Sequence, residues 1–158
     1  MSPTADPDPI PSTYPRVTPA LVVDGAAKAL EFYREAFGAA ERMRVPGPGG
    51  TLAHAEIQIG ESVVMVDDAS PAVGTQAPPP GGISGTPCSL FVYVEDVDRV
   101  VARAVERGAT LLGAVEDHFY GDRTGSIVDP WGHAWTVATH VEDVDDDEMT
   151  RRLAELQD

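Results

Sequence analysis

His54 and Glu56 lie in LAHAEIQI, where Ala55, Ile57 and Ile59 alternate with His54, Glu56 and Gln58. Alternation puts His54 and Glu56 on one strand face, about 7 Å apart. A pair of this kind can act as a general base with its orienting carboxylate, or supply two donors to a weak metal site. It can equally be a solvated or hydrogen-bonded pair at a sheet edge. A denser stretch, FYGDRTGSIVDPWGHAWTVATH, runs over 119–140 and carries Tyr120, Asp122-Arg123, His133 and His140. Arg123 either ion-pairs locally to fix a hairpin or, at a cavity mouth, clamps a carboxylate or phenolate. Phe119 and Tyr120 stack on a planar ligand or plug the end of a barrel. His133 and Trp131 read as exposed turn residues, and His140 as a cavity-facing residue at a strand end.

Composition narrows the function classes. With 26 acidic against 11 basic side chains and a net charge of −15, the 158-residue chain repels phosphate backbones, and no basic stripe reverses that. Nucleic acid is therefore not an expected partner. No apolar run approaches the length of a membrane span, so no membrane partner is expected either. The first residues lack the basic and apolar regions of a signal peptide, which makes the cytoplasm the expected compartment. A single cysteine, Cys88, rules out an internal disulfide framework, and its apolar neighbours suggest a small buried hydrophobe. Six acids within 142–148 read as the solvated start of a short terminal helix.

The elements that must position these groups follow in order. A Pro-rich arm over 1–15 is expected to be disordered. Strand 16–23 leads to a helix capped by Asp24, with Leu30, Tyr33 and Phe37 at helical spacing and Gly38 as its stop. Strands over 41–45, 52–59 and 62–66 follow, the last two joined at Gly60-Glu61. After a Pro/Gly/Ser-rich linker over 69–85 the pattern repeats. Strand 89–94 precedes a helix capped by Asp96, striped with Val97, Val100, Val101, Ala104 and Val105 and stopped at Gly108. Strand 110–115 and the two strands of 119–140 complete it. Asp24 and Asp96 stand 72 residues apart, Gly38 and Gly108 70, and Gly60 and Gly132 72. The chain is thus an internal duplication. The expected fold is α+β: two tandem β-α-β-β-β repeats (16–68 and 86–141) in one domain over 16–141, forming a cupped mixed sheet with helices on the outer face. An acidic tail and short helix occupy 142–158.

The segments LEFYREAFGA, HAEIQIGESVVMV, FYGDRTG and DPWGHAW, together with this repeat, resemble the vicinal oxygen chelate superfamily, the glyoxalase, bleomycin-resistance and dioxygenase group, in its PhnB-like branch. The resemblance covers roughly 14–142. It implies a ligand cavity inside the cup and a homodimer that buries sheet edges, with Trp131 available for such an interface. In metal-using members four His or Glu ligands come from the first and last strand of each half. Those positions fall here at Thr18, Val64, Ser89 and Thr136, none of them a good first-row metal ligand. No metal and no other cofactor is expected.

Strand alternation puts Thr18, Ala20, Val22, Val64, Val66, Ser89, Phe91, Tyr93, Thr136 and Ala138 on the cupped face, and Leu21, Val23, Leu90, Val92, Trp135 and Val137 under the helices. The candidate ligand-binding set is Thr18, Val64, Ser89, Phe91, Tyr93, Phe119, Tyr120, Arg123, Thr136 and His140. Two functions from different classes remain open. One is a metal-free protein that sequesters a planar or apolar small organic molecule, as antibiotic-resistance members do. The other is an isomerase, lyase or cyclase using His54, Glu56 or Tyr93 in acid–base chemistry, with a non-standard metal site of His54, Glu56 and His140 as its variant. The binding module is preferred.

Overall fold

The computed structural model describes residues 8–79 and 87–156. The rest of the expected N-terminal arm and the end of the linker lie outside the described residues. The first half contains β1 (Ala20–Val23), α1 (Ala26–Phe37), β2 (Ala40–Pro46), β3 (Leu52–Ile59) and β4 (Ser62–Asp68). The second contains β5 (Ser89–Tyr93), α2 (Val97–Glu106), β6 (Thr110–Leu111), β7 (Glu116–Asp117), β8 (Asp122–Val128) and β9 (Ala134–His140), followed by α3 (Asp146–Glu155). The strand order is β1-β4-β3-β2 in one sheet and β5-β9-β8-β6 in the other, with β7 added against β8. β1 runs parallel to β4 and β5 parallel to β9, and the other pairs are antiparallel. The class is mixed α+β, two curled sheets with helices packed on one face of each. Among the described residues no helix is long and apolar enough to cross a membrane.

The duplication is visible in the hydrogen bonding. Leu21 pairs with Val66 in the first parallel ladder and Val92 with Val137 in the second, the same register shifted by one repeat. The helix starts repeat it too. Asp68, brought beside Val23 by that ladder, accepts from the N–H groups of Gly25 and Ala26 at 2.8 and 2.9 Å. Thr139 at the matching place accepts from Val97 N–H at 2.8 Å. The expected Asp24 cap is therefore corrected: α1 starts from Gly25 at φ 104 with no side-chain cap of its own, and the neighbouring strand supplies the acceptor. Asp96 does cap α2, accepting from Arg99 N–H at 3.0 Å.

Three further expectations change. Val64 and Val66 lie under α1 in the core rather than on the cupped face, because β4 takes its phase from Leu21 and Ile57 on either side. SVVMV is apolar at both parities, so alternation alone could not set that phase. Strand 16–23 shortens to Ala20–Val23, since Pro19 has no N–H for a ladder. Strand 110–115 shortens to two residues before the chain turns through Gly113.

The halves are joined through α1. Tyr33 stacks on Phe37 at 6.1 Å and 11°, and Phe37 meets Trp135 of β9 at 4.8 Å. At the centre sits Asp129, 1% exposed. It accepts from Tyr33 Oη at 2.6 Å, Trp135 Nε1 at 3.0 Å, and the N–H groups of Trp131 and His133, both at 3.0 Å. A buried carboxylate is tolerated only when so surrounded. Burial first, then the neighbouring Asp129 charge, pushes the Tyr33 phenol well above its ordinary pKa, so it stays a donor. Asp129→Ala, which strands these donors, is expected to cost about 3 to 5 kcal/mol, and Tyr33→Phe about 1.5 to 3 kcal/mol. Urea midpoints at unchanged m value measure both, and a shift under 1 kcal/mol for Asp129→Ala would contradict the assigned role.

Candidate functional site

β3 alternates as its sequence requires. Ala55 and Ile57 are buried under α1, so His54, Glu56 and Gln58 lie on the opposite, concave face. Glu56 is 3% exposed, because the chain before β1 crosses that face. Tyr14 Oη donates to Glu56 Oε1 at 2.7 Å, and Arg42 Nη1 stands 3.5 Å from Glu56 Oε2. His54 Nε2 meets Glu56 Oε1 at 3.1 Å, and its Nδ1 meets Asp67 Oδ1 of β4 at 2.8 Å. Desolvation pulls the His54 pKa down, but hydrogen bonds to Glu56 and Asp67 outweigh it and the net shift is upward. Desolvation raises Glu56, yet its bonds from Tyr14 and His54, with the Arg42 charge, bring it below the usual value. Both shifts favour the imidazolium–carboxylate form of the pair. With both ring nitrogens facing carboxylates, His54 presents no free lone pair for a general base.

The second half carries a matching chain of groups. Tyr93 Oη donates to Asp122 Oδ2 at 2.8 Å, Asp122 Oδ1 meets His140 Nδ1 at 2.8 Å, and His140 Nε2 meets Asp143 Oδ1 at 2.8 Å. Asp122 is 4% exposed. Bonds to Asp143 and Asp122 raise the His140 pKa, and the His140 bond, against desolvation, lowers that of Asp122. The Asp122 bond raises the Tyr93 phenol. Tyr–carboxylate–His–carboxylate therefore occurs in both cups, with the tyrosine on an arm in one and on a strand in the other. His54 and Glu56 are not brought together with His140, which belongs to the second chain of groups.

Between the halves lies a cleft of about 660 Å³, walled by the free edge of β5, the β3–β4 hairpin and the run Pro15, Val17 and Pro19. Ser89, Phe91 and Tyr93 line it, as do Leu90, Val92 and Trp135; Val64 reaches it from the core side. Phe91 and Tyr93 are 54% and 61% exposed, with ring centroids 5.2 Å apart. Thr18 instead bonds Pro15 O at 3.2 Å, and Thr136 faces Ser126 at 3.5 Å inside the second cup.

The other predicted residues are mostly structural. Arg123 makes a fork to Asp98 at 2.7 and 2.9 Å and a bond to Asp117 at 3.1 Å, so it ties α2 to β8 and not to Asp122. Phe119 sits edge-on to Tyr120, and its carbonyl accepts from Arg152 of α3. Tyr120 lies flat on His118 at 5.1 Å. His133 is buried rather than exposed, with Nε2 2.9 Å from Val22 O. Trp131 packs within the chain on Phe32 at 5.6 Å, and its Nε1 donates to Asp24 O. Cys88 is exposed, not buried.

Sequence reasoning missed Tyr14, Arg42, Asp67 and His118. His118 Nε2 bonds Thr124 Oγ1 at 2.7 Å in the second cup. Asp67 carried a signal, because strand alternation on a correctly phased β4 places it beside His54. Tyr14 carried none, lying 42 residues from Glu56.

The family's metal positions do not fit a metal here. Val64 is in the core, Thr18 and Thr136 bond elsewhere, and Ser89 is on the cleft wall. Among the described residues no group of three or more His, Cys, Asp or Glu side chains could hold a metal ion.

These ion pairs impose a pH signature. His54 and His140 have folded pKa values above 6.5, so their contribution is complete below about pH 6.5 and is lost as pH rises through the raised values. Glu56 and Asp122 have folded values below 4.5 and 3.8, so theirs is present above those and lost as pH falls through the lowered values. Stability should therefore peak between about pH 4.5 and 6.5. Denaturant titrations across pH should show His54→Gln with His140→Gln flattening the alkaline limb, and an unchanged limb would contradict the pairing.

Comparison with known proteins matches this architecture. The Glyoxalase/Bleomycin resistance protein/Dioxygenase superfamily model matches residues 16–137. An uncharacterised protein of Mycobacterium bovis is 41% identical over 145 residues, 91% of this chain and 95% of that one. The crystal structure of TioX from Micromonospora sp. ML1 is similar at 25% identity and TM-score 0.61, over 80% of this chain and 99% of that one. A PhnB protein from Bacillus cereus shares the fold at 20% identity and TM-score 0.61, over 79% and 99% of the two chains. The chain belongs to the glyoxalase/bleomycin resistance protein/dioxygenase superfamily.

Proposed function

We propose that the protein is a metal-free small-molecule binding protein that sequesters a planar or apolar organic ligand, in the manner that gives some superfamily members a role in antibiotic resistance. The observation that carries this reading is the cleft of about 660 Å³, apolar over most of its wall and edged by the solvent-exposed pair Phe91 and Tyr93. That volume lies in the range of small-molecule sites, and paired aromatics suit a flat ring system. The net charge of −15 favours cationic over anionic ligands. The acid–base alternative through His54, Glu56 and Tyr93 has less support, because both His54 ring nitrogens already meet carboxylates and the Glu56 and Tyr93 oxygens are engaged in hydrogen bonds within the chain.

The reading includes a cytoplasmic homodimer. β2 is an edge strand on which Met43 and Val45, 43% and 41% exposed, alternate with charged Arg42 and Arg44, and its outer backbone groups are available to a second copy. Sedimentation equilibrium is expected to give twice the 16.7 kDa chain mass, and a monomer at all concentrations would contradict this part.

Trp135 lines the cleft, so intrinsic fluorescence reports occupancy. Titration with a panel of planar heteroaromatic compounds, neutral and cationic, is expected to give saturable quenching at one ligand per chain. Phe91→Ala should weaken binding roughly tenfold, the effect of losing one aromatic contact and its buried area. Quenching that never saturates, or that Phe91→Ala leaves unchanged, would remove the basis for a ligand site here.

A further inference from the structure

We propose that the C-terminal segment 141–156 is a latch against the loop 118–121, fastened below neutral pH and released as pH rises, with His140 as the residue that opens it. The segment gains little from burial. α3 has no buried residue, and a 10-residue helix standing alone in water is marginal. Its hold on the body is polar. Gly121 O accepts from the N–H groups of Val141 and Glu142 at 2.9 and 3.0 Å. Arg152 Nη1 donates to Phe119 O at 3.0 Å, and the same guanidinium forks onto Glu142 at 2.7 and 3.0 Å. The third fastening is His140, the last residue of β9. Its Nε2 meets Asp143 Oδ1 of the segment and its Nδ1 meets Asp122 Oδ1 of the paired strand β8, both at 2.8 Å.

Of the three fastenings, the histidine is the one that titrates near neutral pH. The groups around it are Asp122 of β8 and Asp143 of the segment. Asp122 also accepts from Tyr93 of β5 at 2.8 Å and feels the charge of His118, while Glu142, next to Asp143 in the chain, is taken by Arg152. When charged, the ring donates from both nitrogens. When neutral it keeps one N–H, and its lone pair then faces a carboxylate. Asp122, 4% exposed, has no water to turn to and keeps the N–H; Asp143 is fully exposed and turns away. Bonds to Asp143 and Asp122 raise the His140 pKa, so the contact is complete below about pH 6.5 and is lost as pH rises through the raised value. The first half has no such device. There His54 joins Glu56 and Asp67, both inside the sheet, so its titration frees no separate segment. Opening the latch loosens the loop that carries Phe119 and Tyr120, whose neighbour His118 bonds Thr124 of β8.

The test is tryptic cleavage of the full chain after Arg151 and Arg152, which requires α3 to unwind. The rate is expressed relative to a synthetic peptide of residues 141–158 at the same pH, so that the protease's own pH profile cancels. In the wild type this relative rate is expected to rise about threefold between about pH 6 and about pH 8.5, the effect of losing one exposed pair. Asp143→Asn, a change at an exposed position, puts an amide where the carboxylate stood. The amide accepts from the charged ring and donates to the neutral one, so the rise should disappear. A wild-type relative rate that stays constant with pH, or an equal rise in Asp143→Asn, overturns the proposal. Cleavage after Arg123, inside β8, reports opening of the whole fold, and a rise there equal to that in α3 overturns it as well.

Discussion

The fold depends on a buried carboxylate. Asp129 lies in the turn between the last two strands, yet one of its partners, Tyr33, belongs to the helix of the other half. A charge taken out of water is costly unless every lone pair is met, and here a phenol, an indole and two backbone N–H groups meet them. The same turn delivers Trp131 to Asp24 O and His133 to Val22 O. These two contacts register the second hairpin against the end of β1 and the residue before α1, and the Asp129–Tyr33 bond ties it to the body of that helix. Each half has its own sheet and helix, and this polar joint inside an aromatic cluster fixes the angle between them. The cleft exists because that joint clamps one end of the interface and leaves the other open.

The duplicated halves solve the same problems with different residues. An acceptor near the end of the last strand caps the helix of each half, a carboxylate in the first and a threonine hydroxyl in the second. Each cup contains a tyrosine, a buried carboxylate, a histidine and a second carboxylate, but drawn from different strand positions. The common constraint is electrostatic. A carboxylate buried in a concave face, as Glu56 and Asp122 are, needs donors to accompany it, and a histidine flanked by two carboxylates supplies one in each cup. Groups so satisfied are well suited to shaping a cavity. They are poorly suited to moving protons, and this is why the binding reading is preferred to catalysis.

What the amino-acid sequence determined alone is local. Period-2 alternation put His54, Glu56 and Gln58 on one face of β3, helical spacing gave the buried Val97, Val101 and Ala104 of α2 (Val105 of that stripe is exposed), and glycines at the helix ends and hairpins revealed the duplication. These signals survive because backbone periodicity acts within a few residues of itself. Alternation likewise put Ser89, Phe91 and Tyr93 of β5 on one face and Leu90 and Val92 on the other.

What the tertiary structure decided is every choice made by residues far apart in the chain. SVVMV reads equally well in either phase, and only Leu21 and Ile57 alongside send Val64 and Val66 to the core. Trp131 and His133 look like exposed turn residues until α1 and β1 of the other half close over them. Arg123 could have met a ligand or a neighbour; Asp98 on α2, 25 positions away, took it. Tyr14 lies in a Pro-rich segment with no pattern of its own, and only the folded sheet provides Glu56 and Arg42 to receive it. Local pattern specifies the elements. Burial and the pairing of polar groups, which require the assembled chain, specify the site.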